Sequence, residues 1–245
     1  MNPDPAVTPV PAGEPPSELS YKPVEAPSQI PLTRRLVREL LSWIWVFLIF
    51  MFVTGTMVQA RVIPSGSMEN TLLVGDHLLM SRLGYDVSVP FTQYHHRLWR
   101  IPHRSQMIIF RSPNEPGLDL IKRLIAMPGD TVEIRKGVVY VNDHPIAEPY
   151  RLGPPNPADN YDLTTVPPGN YFVLGDNREN SYDSRYWGFV PEANILGTPL
   201  VIYMSVDAPD AAWEQGQVRE RISAYANVLL HPWSGVRWRR MFKVF

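Results

Sequence analysis

From Leu40 to Ala60 the chain reads LLSWIWVFLIFMFVTGTMVQA, with no charged side chain in the run. About 20 apolar residues in a helix rise roughly 30 Å, the thickness of a bilayer's hydrocarbon core. The run is apolar all round, whereas a surface helix of a soluble domain would be apolar on one stripe. Trp43 and Trp45 lie toward its N-terminal end, beside Arg34, Arg35 and Arg38. Tryptophan favours the membrane interface, and basic flanks favour the cytoplasm. The expectation is therefore a cytoplasmic N-terminus, a single span of a cell membrane, and an extracytoplasmic remainder. Val58-Gln59-Ala60 has the small-x-small spacing of a secretory cleavage site. The run is too long and starts too late for the apolar core of a cleaved signal, so an uncleaved anchor is expected.

The anchor divides the sequence. Residues 1–33 are rich in Pro, Glu, Ala and Ser, with few large apolar side chains. Such a tail buries too little surface to offset its ordering entropy and is expected to be disordered. Residues 34–60 are the basic flank and transmembrane helix. Residues 61–207 read as one β-rich domain with a small insertion at about 143–168. Residues 208–245 form a tail in which Glu220–Leu230 suits a short helix. Beyond it Trp233, Trp238, Phe242 and Phe245 interleave with Arg237, Arg239, Arg240 and Lys243. That mixture suits an anionic lipid interface or, equally, a packed segment with a basic edge.

Within the central part, short β-rich runs alternate with turn signals: 77–82, 107–111, 120–125, 131–135, 138–141, 171–174 and 200–205. Lys136-Gly137 separates two of them as a hairpin turn would, and Pro128-Gly129-Asp130 reads as another turn. Few segments carry a helical period, so the fold class expected is mostly β, an antiparallel β-sheet domain anchored by one N-terminal transmembrane helix. The Pro- and Asn-rich stretch 149–168 reads as a surface excursion.

Composition narrows the chemistry. The chain has no cysteine, which excludes a disulfide framework, a thiol nucleophile and thiolate-bound zinc. Its formal net charge of -1 makes no electrostatic case for a nucleic-acid partner. His95, His96 and His103 lack the spacing of a metal site, so neither a metal nor another cofactor is expected.

Three segments carry chemical potential. Pro64-Ser65-Gly66-Ser67-Met68 puts a serine on a constrained turn just past the anchor. Lys122-Arg123 interrupts the apolar strand Ile121–Ile125. Neighbours in a strand point to opposite faces, so one of these two charges faces inward. Burial lowers a lysine's pKa and makes its neutral amine a usable base, at a cost of roughly 3 kcal/mol for about two pH units. The third segment is GDNRENSYDSRYWG, residues 175–188, a polar run carrying Tyr182, Tyr186 and Trp187. It has the look of an ordered polar network.

These three motifs, in this order behind one anchor, resemble the bacterial type I signal peptidases, and the likeness covers roughly residues 34–205. The resemblance implies a serine endopeptidase that removes signal peptides from exported preproteins. It implies Ser67 as nucleophile and Lys122 as general base, with Ser65 Oγ and the Ser67 backbone N–H as oxyanion hole. Ser181 is implied as the residue that orients the lysine. Asp176 with Arg123, and Asp183 with Arg185, are implied as supporting ion pairs. The expected partners are preproteins with cleavable signal peptides and the lipid bilayer. Asn70 stands where the family often has Pro, and Ser105-Gln106 where it usually has Gly-Asp, so local turn geometry is expected to differ there. The competing expectation is an anchored β-domain that binds extracytoplasmic partners without catalysis.

Overall fold

The structure, a computed structural model, describes residues 31–85, 87–88, 95–96, 101–213 and 216–245. The tail expected to be disordered lies outside these residues up to residue 30, as do the side chains of His95 and His96. The chain divides into two units, Met1–Trp45 and Val46–Phe245. The first contains the start of helix α1 (Leu32–Thr56), whose opening N–H groups at Arg34 and Arg35 are capped by the Pro31 carbonyl. By length and composition Leu32–Val53 is a candidate membrane span, and none of it is buried within the protein.

The helix stops short of Ala60. Thr54-Gly55-Thr56 combines two β-branched residues with a glycine, all poor helix formers. The chain then enters strand β1 (Val58–Val62), which pairs antiparallel with β2 (Asp76–Ser81), Ala60 opposite Leu79. An uncharged VQA has therefore been claimed by a sheet rather than by the span.

The remaining strands are β3 (Val87–Ser88), β4 (His95–His96), β5 (Met107–Arg111), β6 (Asp119–Ala126), β7 (Thr131–Arg135), β8 (Val138–Val141), β9 (His144–Pro145), β10 (Tyr161–Thr165), β11 (Asn170–Leu174), β12 (Val190–Pro191) and β13 (Ile195–Ser205). Seven form the main antiparallel sheet in the order β1-β2-β13-β5-β6-β11-β12. A second sheet runs β10-β7-β8-β9, and β3 pairs with β4. The mostly-β, antiparallel expectation is borne out.

Both faces of the main sheet are covered. Along β5, Met107 and Ile109 join one core with Ile63, Met68 and Leu78, while Ile108 and Phe110 join another with Leu124 and Val173. A strand buried on both sides reads as a continuous apolar run, as MIIF does. The same holds for the middle of β6, so the expectation of one inward charge is exceeded: Lys122 and Arg123 are both buried.

The β7–β8 hairpin turns through Lys136 (φ 48°) and Gly137 (φ 79°), the left-handed pair of a primed turn. A side chain at Gly137 would also lie 2.5 Å from the Asn156 backbone N. The stretch 149–168 is more than a surface excursion: it contributes β10, which pairs with β7 along Thr164–Thr165 and at Tyr161.

After β13 come the helices α3 (Val218–Leu230) and α4 (Pro232–Gly235); the short α2 (Ser184–Trp187) precedes β12. Two basic residues of the C-terminal tail act as internal anchors. Arg240 grips the buried Asp76 carboxylate at 2.6 Å, and Arg237 donates to the Val74 and Val206 carbonyls. Leu229, Trp233 and Phe242 remain exposed.

Candidate active site

Three pieces of chain meet: the turn Gly66–Met68, the middle of β6, and the polar loop that follows β11. The turn is a single 3-10 element entered from extended Ser65, with Ser67 and Met68 buried. Met68 anchors it in the core, and its carbonyl accepts from the Thr71 and Leu72 N–H groups. Ser67 Oγ lies 3.5 Å from Ser65 Oγ.

The loop after β11 holds that turn in place. Asn177 donates its backbone N–H to the Ser67 carbonyl at 3.1 Å and its side-chain amide to the Gly66 carbonyl at 3.2 Å. Gly175 is where the pieces touch. A Cβ there would sit 2.2 Å from Ser181 Oγ and 2.6 Å from the Ser67 carbonyl oxygen. No residue larger than glycine fits without moving one or the other.

Lys122 extends from β6 to this junction and is only 3% exposed. Its Nζ donates to Ser181 Oγ at 3.1 Å. Ser181 Oγ in turn donates its one proton to Asp183 Oδ2 at 2.6 Å. With that proton committed, Ser181 faces Lys122 as an acceptor. The amine therefore spends an N–H on Ser181, and a neutral amine keeps its lone pair for another partner. Burial pushes the Lys122 pKa down to about 8; Asp183 opposes the shift, Arg185 adds to it, and Asp176 opposes it more weakly.

Asp183 is held from several sides. It accepts from the Gly175 N–H at 3.0 Å and from Arg185 Nε at 2.9 Å, and caps α2 through the Arg185 N–H. Arg185 continues to Asp159 at 2.9 Å. On the other side of β6, Arg123 makes a two-pronged bond to Asp176, Nε to Oδ1 at 2.7 Å and Nη2 to Oδ2 at 2.5 Å. Its Nη1 reaches the Ser105 carbonyl at 2.7 Å, and its guanidinium stacks 3.9 Å over the Tyr150 ring.

The structure thus brings together Ser65, Ser67, Lys122, Ser181, Asp183 and Arg185, with Arg123 and Asp176 forming an adjacent buried pair. Among the described residues, the lysine's hydrogen bond goes to Ser181 and none joins it to Ser67.

Several contributors were not singled out from sequence. Thr71 donates to Asp176 Oδ2 at 2.5 Å. Arg178, in the polar motif, pairs with Glu148 of the insertion. Asn177 and Gly175 lie inside the polar motif but read there as loop. The two departures from the family pattern have local causes. Asn70 has φ 89°, a conformation closed to proline, and its amide reaches the Tyr150 carbonyl at 3.0 Å. Ser105 has φ 64°, where glycine is the easier choice.

The sequence matches the family described as signal peptidase, peptidase S26, over residues 36–204. It is 39% identical over 153 residues to the probable signal peptidase I-2 of Synechocystis sp., a match covering 60% of this chain and 64% of that protein. It is 36% identical over 196 residues to the probable signal peptidase I-1 of the same organism, covering 77% of this chain and 91% of that one. A crystal structure of a signal peptidase I from Enterococcus faecalis V583 matches with 36% identity and a TM-score of 0.35, over 40% of this chain and 97% of that one.

Proposed function

The chain belongs to the signal peptidase family, peptidase S26, and is a type I signal peptidase; from that premise we propose that Ser67 is its nucleophile and Lys122 its general base. The observation that carries the assignment is the buried lysine held by a serine that can only accept from it. In its neutral form Lys122 has a lone pair left over, and Ser67 is the hydroxyl presented on the neighbouring turn. For the proton to pass, Ser67 Oγ turns from Ser65 toward Nζ, an adjustment of the kind that substrate binding commonly completes.

The reaction then runs in two halves. Ser67 Oγ attacks the scissile carbonyl as Lys122 takes its proton. The Ser65 hydroxyl and the Ser67 N–H face the developing oxyanion. The protonated lysine returns the proton to the leaving amine. In the second half Lys122 activates a water that releases the acyl group from Ser67. Asp183 and Arg185 are positioning residues that act through Ser181, and Arg123–Asp176 stiffens β6 beside the base.

The substrate is an exported preprotein whose signal peptide lies extended before the scissile bond, with small side chains at the first and third positions. It adds a strand beside β1, which is an end strand of the main sheet. Helix α1 is the membrane anchor, crossing once, with Arg34, Arg35 and Arg38 on the cytoplasmic side and the β-domain outside. No observation favours a non-catalytic binding module.

The assignment is tested by incubating purified, detergent-solubilised protein with a preprotein carrying an Ala-x-Ala site. Wild type releases the mature protein, and Ser67→Ala releases none. Processing by Ser67→Ala at the wild-type rate would remove Ser67 from the chemistry.

A further inference from the structure

A cleft of about 370 Å³ runs between β1 and the start of β6, lined by Arg61, Ile63, Asp119 and Ile121 among others. Two strand edges border it. On one side is β1, which among the described residues has β2 as its one sheet neighbour. On the other is β6, which pairs with β5 from Asp119 to Arg123 but with β11 only from Arg123 onward. Among the described residues, the second edge of 119–122 has no strand beside it. Both walls run toward the proposed dyad, β1 leading to Ser67 and β6 to Lys122.

Side chains alternate along a strand, so Arg61 shares a face with Ile63 and Asp119 with Ile121. Ile63 and Ile121 pack into the same core. Arg61 Nη2 and Asp119 Oδ2 meet at 2.6 Å across the cleft. The floor therefore changes from apolar to charged in one two-residue step, about 6.7 Å, away from the dyad. Arg61 Nη2 also donates to Gln59 Oε1 at 3.3 Å, and Arg61 Nε is buried with no hydrogen-bond partner among the described residues. The Arg61 and Asp119 side chains are themselves part-exposed, so the pair offers a ligand N–H donors and a carboxylate acceptor side by side.

We propose that Arg61 and Asp119 form a specificity subsite for the fifth residue before the scissile bond, selecting a side chain that offers a hydrogen-bond acceptor, glutamine or asparagine above all. The inference rests on the peptidase reading and extends it to substrate choice. A strand laid in the cleft turns alternate side chains to the floor. With the first and third on its apolar part, the fifth falls on Arg61. An amide there matches both partners, its carbonyl accepting from the Arg61 guanidinium while its NH₂ donates to the Asp119 carboxylate. A leucine covers the pair with nothing to accept or donate, a lysine is repelled by Arg61, and a carboxylate competes with Asp119.

The test is steady-state cleavage, by purified full-length enzyme, of fluorogenic peptides identical except for Gln, Leu or Lys at the fifth position. Wild type is expected to favour Gln over Leu about tenfold in kcat/KM, most of it in KM, as one hydrogen bond to a charged group allows. Arg61→Met should bring the Gln/Leu ratio close to one. If that variant does not fold, Arg61→Lys keeps the charge beside Asp119 but lacks the planar fork of donors, and should level the ratio as well. Equal cleavage of the Gln and Leu peptides by wild type, or a tenfold preference surviving either substitution, would overturn the subsite. Both results presuppose cleavage; folded wild type that cuts none of the peptides would instead overturn the peptidase reading beneath it.

Discussion

Lys122 is costly to keep. Its pKa drop from 10.5 to about 8, caused first by burial, corresponds to about 3 kcal/mol of folding free energy when the group is charged. Below pH 8 the lysine is protonated in folded and unfolded chains alike, and the penalty is complete. Between pH 8 and 10.5 the unfolded chain holds a proton that the folded one has lost, so this group's contribution to stability rises with pH. Lys122→Met should therefore stabilise the protein at pH 7, by up to about 3 kcal/mol less what the lost Ser181 hydrogen bond contributes. Denaturant unfolding of both proteins across pH 7 to 10.5 checks this. The stabilisation should shrink as pH rises, and a difference that does not change with pH would mean the lysine is not strained.

At the scale of elements, the arrangement depends on how closely the turn Gly66–Met68 approaches the loop after β11, and Gly175 is the point of contact. Gly175→Ala places a methyl group against Ser181 Oγ and the Ser67 carbonyl. The expected outcome is a loss of roughly 1–3 kcal/mol in stability, as for other overpacked sites. Preprotein processing should fall at least about a hundredfold, since small misplacements of reacting groups are costly. Thermal unfolding beside a cleavage assay separates the two effects. The elements themselves were unevenly legible. β5, β7 and β8 lie where β-rich runs between turn signals put them. β1 does not, because VQA is uncharged and reads as more of the membrane helix until its pairing with β2 is known. β10 lies in a Pro- and Asn-rich stretch and exists through its pairing with β7. The motif residues were legible because short, specific patterns carry them. Arg61 and Asp119 were not: each is an ordinary strand charge until the fold sets β1 and the start of β6 opposite one another.

For the whole molecule, the β-domain is proposed to work on one side of a membrane that α1 crosses. Protease added to intact spheroplasts should then degrade epitopes in residues 61–245 and spare one placed before Arg34. The opposite pattern would reverse the orientation, and protection of both epitopes would place the whole protein inside. Confinement to one membrane surface raises the effective concentration of enzyme and substrate without any added contact. An anchor also suits the proposed substrates, which carry apolar segments of their own. The internal anchoring of Arg237 and Arg240 ties the C-terminal tail to the β-domain, leaving Trp233 and Phe242 at its surface.

Neutral Lys122 is proposed to activate Ser67. The most direct measurement is the rate of preprotein cleavage from pH 6 to 10 by wild type and by Lys122→Met, with folding of both verified at each pH. The wild-type kcat/KM is expected to rise with pH through an apparent pKa of about 8, as the buried lysine loses its proton, and then to level off. Folded Lys122→Met is expected to cleave nothing at any pH. Cleavage by Lys122→Met with the same rise through pH 8 would contradict it and place the base on another residue.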